Sequence, residues 1–243
     1  SRDAGLYGAV YRILERLQFI PATLLVTLFP VLVAARDHDP QRLRRVLQVT
    51  VEYLAISSLA VFAVSLAGPE PLVQLLFGDE FAEAAPALPV LTAAFVVICF
   101  GYLTGHLIIT YELQRRFLLV AGAGLVFNAA LNLLLVPRYG FLAAAWLTLA
   151  TEILVTALSA AMVFRKARLW PSAGRLPRVL LAAVACWAAG AGLNGAGLPT
   201  LAWAAVAGLV YAGALLALRA VELSDLKTLI RREAPTAPAA AAP

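Results

Sequence analysis

Long apolar segments, each near the length that crosses a bilayer, constrain this chain more than any other feature. A helix needs about 20 apolar residues to cross the hydrocarbon core of a membrane. Seven segments meet or approach this length, over residues 5–35, 46–67, 88–109, 117–136, 141–164, 176–193 and 198–218. Because backbone groups inside a bilayer must be satisfied within their own segment, these segments are predicted to be helices. We therefore predict an all-α, polytopic membrane helix bundle with about seven transmembrane helices.

The composition excludes an ordinary soluble domain. Hydrophobic residues make up 62% of the chain and charged residues only 14%, against about 25% charged residues in soluble domains. The net charge of +5 does not indicate a nucleic-acid partner, because most basic residues flank the apolar segments. Cys99 and Cys186 lie inside apolar runs and indicate neither a metal site nor a disulfide framework.

The charges of the connecting loops predict the topology. Basic and non-basic loops alternate along the chain, and basic loops favour the cytoplasmic side of a membrane. The basic loops carry Arg36, Arg42, Arg44 and Arg45; then Arg115 and Arg116; then Arg165, Lys166, Arg168 and Arg175. Residues 1–218 are thus predicted to form a transmembrane lobe that begins outside. Residues 219–243 are predicted to be a cytoplasmic tail, disordered from about residue 234, where only Ala, Pro and Thr occur.

Several stretches carry a family resemblance through their order and spacing. They are residues 4–13 (AGLYGAVYRI), 28–32 (LFPVL), 71–81 (PLVQLLFGDEF) and 136–145 (VPRYGFLAAA), together with Asn128 and Asn132. This set, which covers roughly residues 4–164, resembles the second half of bacterial polysaccharide flippases of the multidrug/oligosaccharidyl-lipid/polysaccharide exporter superfamily.

The resemblance implies one lobe of a two-lobe flippase in the bacterial inner membrane, a component of the cell envelope. Such a protein translocates an undecaprenyl-pyrophosphate-linked oligosaccharide for polysaccharide export. The implied partners are the lipid-linked sugar, membrane lipids and an N-terminal lobe of the same protein, which we expect to be missing from this sequence. No cofactor is implied.

The charges of the first span are the first candidate substrate site. Arg12, Glu15 and Arg16 are spaced to share one helical face. A guanidinium group binds phosphate oxygens well, so either arginine is a candidate ligand for a pyrophosphate, with Glu15 tuning its release. The alternative is that all three charges lie in the outer headgroup layer. Pro21 and Pro30 in the same span are candidate hinges for alternating access, or else static kinks.

Three polar residues lie deep in later spans. Glu152 is a candidate ion-coupling residue, or the partner of an arginine on another helix, because an isolated carboxylate is costly inside a membrane. Asn128 and Asn132 are four residues apart and share a face, where they would bind a sugar or tie helices together. Glu52 lies nearer the end of its span and is expected at the interface.

The sequence argues against some functions and leaves others open. The chain has no phosphate-binding Gly-x-x-x-x-Gly-Lys loop, so we expect no nucleotide hydrolysis. We also expect no enzyme, since no loop carries a convincing acid–base pair, and no metal site, since His38 and His106 lack companions. The alternatives are an ion-coupled multidrug exporter of the same superfamily or a membrane assembly partner that transports nothing.

Overall fold

The computed structural model describes residues 2–221, apart from the side chains of residues 37 and 38. Its regular elements are all helical, which confirms the all-α class. They are α1 (Arg2–Leu17), α2 (Phe19–His38), α3 (Pro40–Ala67), α4 (Pro69–Phe77), a 3₁₀ helix (Asp79–Ala84), α5 (Ala87–Thr110), α6 (Gln114–Ala167), α7 (Leu176–Gly195) and α8 (Thr200–Ala217). With α1 and α2 taken together, six of these helical stretches are long and apolar enough to cross a membrane. The tail predicted over residues 219–243 lies almost wholly outside the described residues.

The longest helix, α6, is a hairpin of two arms. Its backbone is helical except at Gly140, so residues 114–139 form a first arm and residues 141–167 a second. Asn128 Nδ2 of the first arm donates to Thr151 Oγ1 of the second at 2.9 Å. In a straight helix these two residues would be about 35 Å apart. The hydrogen bond therefore requires the arms to run antiparallel, in the places of the fourth and fifth predicted spans.

Glycine is required where the hairpin turns. Gly140 has φ 66° and ψ −156°, a conformation that is almost restricted to glycine. A Cβ atom at this position would also lie 3.0 Å from the carboxylate oxygen of Asp3. The turn predicted at this end of the fourth span thus depends on one residue with no side chain.

The first predicted span, residues 5–35, is broken into α1 and α2 at Gln18. Pro21 explains the break, because its nitrogen carries no hydrogen to donate to the carbonyl of Leu17. The helical path still continues, since Gln18 N bonds to the Leu14 carbonyl and Ala22 N to the Gln18 carbonyl. Pro30 lies inside α2 without ending it.

The short segment between the second and third spans is also a helix. It is α4, which has prolines in its first turn and ends at Gly78, where φ is 90°. The 3₁₀ helix follows directly and leads the chain into α5.

The predicted basic loops meet at one end of the bundle, here called the basic end (residues 36–48, 110–116, 165–178 and 219). Hydrogen bonds join them: Arg36 donates to the Thr110 carbonyl, Ser172 to the Gln48 side chain, and Arg178 to the Arg219 carbonyl. Loops distant in sequence therefore share one surface, as the alternation of charge predicts.

The other connections meet at the opposite end, here called the acidic end (residues 2–3, 67–84, 140 and 194). Arg2 pairs with Glu83 at 2.9 Å, and Asn194 Nδ2 donates to the Ala67 carbonyl at 3.3 Å. The chain thus sorts its connections into two ends of opposite charge. That the basic end faces the cytoplasm stays a prediction.

Helices α7 and α8 pack closely against α3 through small residues. A Cβ atom added at Gly190 of α7 would lie 2.8 Å from Ala67 Cβ of α3 and 3.3 Å from Ala207 Cβ of α8. Trp203 fills the space beside this contact and is fully buried. Close backbone approach through small residues is a common way to pack helices in membranes, where lipid supplies no hydrophobic drive between them.

Candidate functional site

A cavity of about 570 Å³ lies between α1, α5 and both arms of α6, and we call it the central cavity. Its wall is mostly apolar but contains one carboxylate, that of Glu152. Further polar lining residues are Tyr11, Gln18, Tyr102, Thr104, His106, Gln114, Thr156 and Ser159. Ligand sites commonly combine an apolar wall with a few placed polar groups.

Each helix contributes one face to this cavity. On α5 the lining includes Ile98, Gly101, Gly105 and Ile109, and on the second arm of α6 it includes Glu152, Val155, Thr156 and Ser159. Intervals of three and four residues return to the same side of a helix. The polar groups of the cavity therefore follow from which face of each helix packs inward.

A second cavity of about 480 Å³ lies between α1 and the two arms, and we call it the hairpin cavity. It is lined by Tyr7, Asn128, Thr148 and Thr151 among others, and it shares Tyr11, Glu152 and Val155 with the central cavity. Because of the shared residues the two cavities adjoin. Together they form a polar path along the hairpin, with Glu152 where they meet.

Glu152 has no hydrogen bond or ion pair to any side chain within residues 2–221. It is half-buried in the second arm of α6 and lines both cavities. The predicted pairing with an arginine of another helix is thus not present in the described part of the chain. An unpaired carboxylate between apolar helices is costly, which is why such groups usually mark ion or substrate pathways.

One face of α1 borders the polar path. Tyr7 and Tyr11 of α1 line it, as does Gln18 directly after the helix. The Tyr7 hydroxyl is 2.9 Å from Thr148 Oγ1, and the Tyr102 hydroxyl donates to Gln18 Oε1 at 3.1 Å. The rings of Tyr7 and Tyr11 stack with centroids 5.4 Å apart. These contacts fix α1 against both the hairpin and α5.

The structure leaves Arg12, Glu15 and Arg16 exposed on the outside of the described bundle. Neither arginine lines the central or the hairpin cavity. Arg2 marks the acidic end, and Arg12 and Arg16 follow it by about 15 and 21 Å along the axis of α1. A hydrocarbon core is about 30 Å thick, so the two arginines lie well below that end of the bundle.

The buried neighbours of these charges agree with this depth. Val10 belongs to the same buried cluster as Leu91 of α5, and Leu14 to the same cluster as Phe95. Arg12 therefore lies between two buried residues that belong to clusters shared with α5. That the arginines act within the span and not in the headgroup layer stays a prediction.

The two predicted asparagines form one hydrogen-bonded unit. Asn132 Nδ2 donates to the carbonyl oxygen of Asn128 at 2.8 Å and to its side-chain Oδ1 at 3.1 Å. Asn128 in turn bonds Thr151 across the hairpin. Asn128 also lines the hairpin cavity, whereas Asn132 does not. Asn128 therefore both ties the two arms of α6 together and forms part of the cavity wall.

The hinge candidates differ in their surroundings. Pro21 is buried in the first turn of α2, directly after the break at Gln18, whereas Pro30 is exposed inside an unbroken stretch of α2. The interruption at Gln18 thus lies next to Pro21 and not to Pro30. A hinge role for either proline stays a prediction.

Sequence reasoning missed most of the polar path. His106, which received no role, lines the central cavity; its Nδ1 is 2.8 Å from the Tyr102 carbonyl. Ser159 is buried at 2% exposure, and its hydroxyl has no hydrogen-bond partner among residues 2–221. One signal was present: Tyr7, Tyr11 and Gln18 are spaced to follow one helical face.

Glu52 lies at the basic end of the bundle, but its side chain is only 5% exposed. Its position at the membrane interface stays a prediction. Glu52 Oε1 accepts from Gln48 Nε2 at 2.8 Å and from the Arg175 backbone N–H at 3.0 Å. The linker between α6 and α7 covers this carboxylate, and single-helix reasoning could not foresee that contact.

No protein-family model matches this chain, and no curated protein matches it. The flippase resemblance therefore depends on the sequence stretches quoted above, and the function on the geometry of the site.

Proposed function

We propose that this chain is one lobe of a flippase that carries an undecaprenyl-pyrophosphate-linked oligosaccharide across the bacterial inner membrane. The supporting observation is the polar path of the central and hairpin cavities, which runs along otherwise apolar helices beside the charged face of α1. A lipid-linked sugar has a large polar head and a long apolar tail. It needs a polar route for the head, while its tail stays in lipid.

The hairpin cavity suits the sugar part of such a substrate. Asn128, Thr148 and Thr151 offer amide and hydroxyl groups, and hydrogen bonds of this kind orient a glycan. Tyr7 and Tyr11 add aromatic faces that pack against sugar rings. Apart from Glu152, the lining is uncharged and tolerates glycans of different composition, which accords with recognition of the shared lipid carrier rather than one sugar.

Arg12 and Arg16 suit the pyrophosphate. They lie on the exposed side of α1, deep in the span, and have no hydrogen bond or ion pair to residues 2–221. Charges at this depth require an anion or a polar partner, since exposure to lipid costs several kcal/mol (~3 kcal/mol at a helix centre). We propose that the second lobe covers this face and that the pyrophosphate passes between the lobes.

Glu152 is the proposed site of ion coupling. It adjoins both cavities and has no internal counter-charge among the described residues, so a proton or Na⁺ entering the path would neutralise it. Neutralisation lowers the free-energy cost of placing the carboxylate in an apolar environment. An ion gradient would drive the transport cycle through this change in cost.

The test is to delete the full reading frame and measure on which leaflet its lipid-linked sugar accumulates. The deletion strain is then complemented with wild type, Arg12→Ala, Arg16→Ala and Glu152→Ala. The proposal expects accumulation on the cytoplasmic leaflet, rescued by wild type and not by these variants. Arg138→Ala is the matched control, because Arg138 is an exposed arginine at the hairpin turn, and it should rescue fully.

Other results would change the assignment. Normal sugar display in the deletion strain would overturn the flippase proposal and favour the drug exporter or the assembly partner. Full rescue by Arg12→Ala and Arg16→Ala would retain transport but remove these arginines from the site.

A second candidate, an ion-coupled exporter of organic cations, is favoured by one observation. The central cavity joins the carboxylate of Glu152 with the rings of Tyr11, Tyr102 and Phe117, and aromatic faces beside a carboxylate attract cations. Binding of tetraphenylphosphonium to the purified protein, lost in Glu152→Gln, would favour this candidate. Absence of such binding would favour the anionic substrate.

A further inference from the structure

A third cavity, of about 480 Å³, lies at the basic end of the bundle, far from the polar path in sequence. We call it the basic cavity. It forms where the first turns of α3 meet the linker between α6 and α7, and three arginines line it: Arg44, Arg45 and Arg175. The functional site described above uses none of them.

One face of α3 supplies one wall. Gln41, Arg44, Arg45, Gln48 and Glu52 all line the cavity, and their intervals of three and four residues place them in one row along the helix. Gln41 and the two exposed arginines stand nearest the end of the helix, and the buried Glu52 stands deepest. The row thus runs from a basic rim to a closed floor.

The floor is held by a hydrogen-bond network. Gln48 Nε2 donates to Glu52 Oε1 at 2.8 Å, while Gln48 Oε1 accepts from both the backbone N–H and the hydroxyl of Ser172 at 3.0 Å. The Arg175 guanidinium is 3.8 Å from Glu52 Oε2. These bonds fasten the linker onto α3, so the cavity has a fixed shape. They also place the Arg175 guanidinium beside Glu52, whose carboxylate is the one that lines the basic cavity.

The rim carries charge that the fold itself does not use. Arg44 and Arg45 make no hydrogen bond or ion pair with residues 2–221. With Glu52 balanced by Arg175, these two guanidinium groups leave the basic cavity with an excess of positive charge. Trp170, which is 62% exposed, stands beside them. Exposed tryptophan near the end of a membrane helix is typical of the lipid headgroup layer.

We propose that the basic cavity binds the phosphate headgroup of an anionic membrane phospholipid. Guanidinium groups bind phosphate oxygens through paired hydrogen bonds, and basic pockets between membrane helices are known to hold lipid headgroups. The position at the end of the helices, next to an exposed tryptophan, favours a lipid over a free anion. This inference goes beyond the proposed flippase function, because it needs only that the basic end lies at a membrane surface.

The experiment measures lipid retention by the purified full-length protein with native mass spectrometry. The protein is mixed with phosphatidylglycerol, which is anionic, or with phosphatidylcholine, which has no net charge. The test variant is Arg44→Ala with Arg45→Ala. The matched control is Arg115→Ala with Arg116→Ala, which removes the same charge from two exposed arginines of another loop at the basic end.

Wild type and the Arg115/Arg116 control should retain phosphatidylglycerol in preference to phosphatidylcholine. The Arg44/Arg45 variant should bind phosphatidylglycerol about tenfold to thirtyfold more weakly, from roughly 1 kcal/mol for each basic residue near a lipid surface. Arg44→Gln with Arg45→Gln, which preserves length and polarity, should lose binding equally and guards against misfolding of the first variant.

Two results would overturn the proposal. Equal loss of phosphatidylglycerol in the control and test variants would mean that overall charge, and not this cavity, attracts the lipid. Displacement of phosphatidylglycerol by an equal concentration of inorganic phosphate would assign the cavity to a free anion instead. Failure of the leaflet assay leaves this test unaffected, since lipid retention does not require transport.

Discussion

The hairpin α6 and the pair α7–α8 are both antiparallel pairs of apolar helices, yet they use their inner faces differently. The α7–α8 pair meets α3 through small side chains at Gly190, Ala67 and Ala207, with Trp203 filling the remaining space. The α6 hairpin instead lines two cavities with α1 and α5, and it places Glu152 between them.

Under the proposed function, this difference separates the region that stabilises the bundle from the region that would serve transport. Close packing gains dispersion contacts and leaves no room for a ligand. A cavity forgoes those contacts, and an unpaired carboxylate beside it raises the cost further. A region that keeps both features is therefore the place to look for transport, and the tightly packed pair is the place to look for structural support.

The largest expected effect is on transport, from Glu152→Gln. This change removes the charge at nearly constant volume, so it should abolish most transport in the complementation assay. The melting temperature in detergent should stay the same or rise, because a half-buried charge with no partner among residues 2–221 is removed. A large fall in melting temperature with normal transport would instead mean that Glu152 stabilises the fold and does not take part in transport.

Next in size is an effect on stability, from Gly190→Leu. The new side chain would begin 2.8 Å from Ala67 Cβ, so α3, α7 and α8 must separate. We expect a loss of about 3 kcal/mol in the free energy of unfolding, the upper part of the range for overpacked cores. Denaturation in mixed micelles measures it. Gly208→Leu on α8 is the control, because nothing lies within 4 Å of its Cβ position.

Glu52→Gln should lower stability by about 2 kcal/mol. The neutral amide loses the charge-assisted hydrogen bond from the Arg175 backbone and leaves the Arg175 guanidinium without its carboxylate. The same denaturation assay reads the change, and the leaflet assay should show that transport persists. Glu152→Gln should have the opposite pattern, with transport lost and stability unchanged or raised. If the two variants behaved alike, the separation of a transport region from a supporting region would be wrong.

The smallest effect concerns the tie across the hairpin. A double-mutant cycle of Asn128→Ala and Thr151→Ala should give a coupling energy of about 0.6 kcal/mol, the average for interhelical hydrogen bonds in membranes. Each single variant should unfold slightly more easily in mixed micelles. A coupling energy of zero would mean that Asn128 serves the hairpin cavity alone.

Much of the fold could be predicted because it depends on local properties. The apolar segments, the short helix closed by Gly78, the turn near Gly140 and the alternation of loop charge are all readable along the chain. Less of the site could be predicted. Arg12, Glu15 and Arg16 were identified as one face, but which surroundings that face meets was left open. Glu52 was expected near the interface, but its cover by the linker that carries Arg175 was not foreseen.

The sequence by itself determined the class of the protein: apolar helices, joined by loops of alternating charge, at lengths suited to a membrane. It could do so because helix formation in an apolar medium depends on each segment's own hydropathy and backbone hydrogen bonds. Only the tertiary structure decided which side chains face one another. Where every face of a helix is apolar, the periodicity of the sequence does not identify the face that points inward. Packing against other helices placed Tyr11 and Glu152 on one polar path. It also arranged the basic cavity around Gln48.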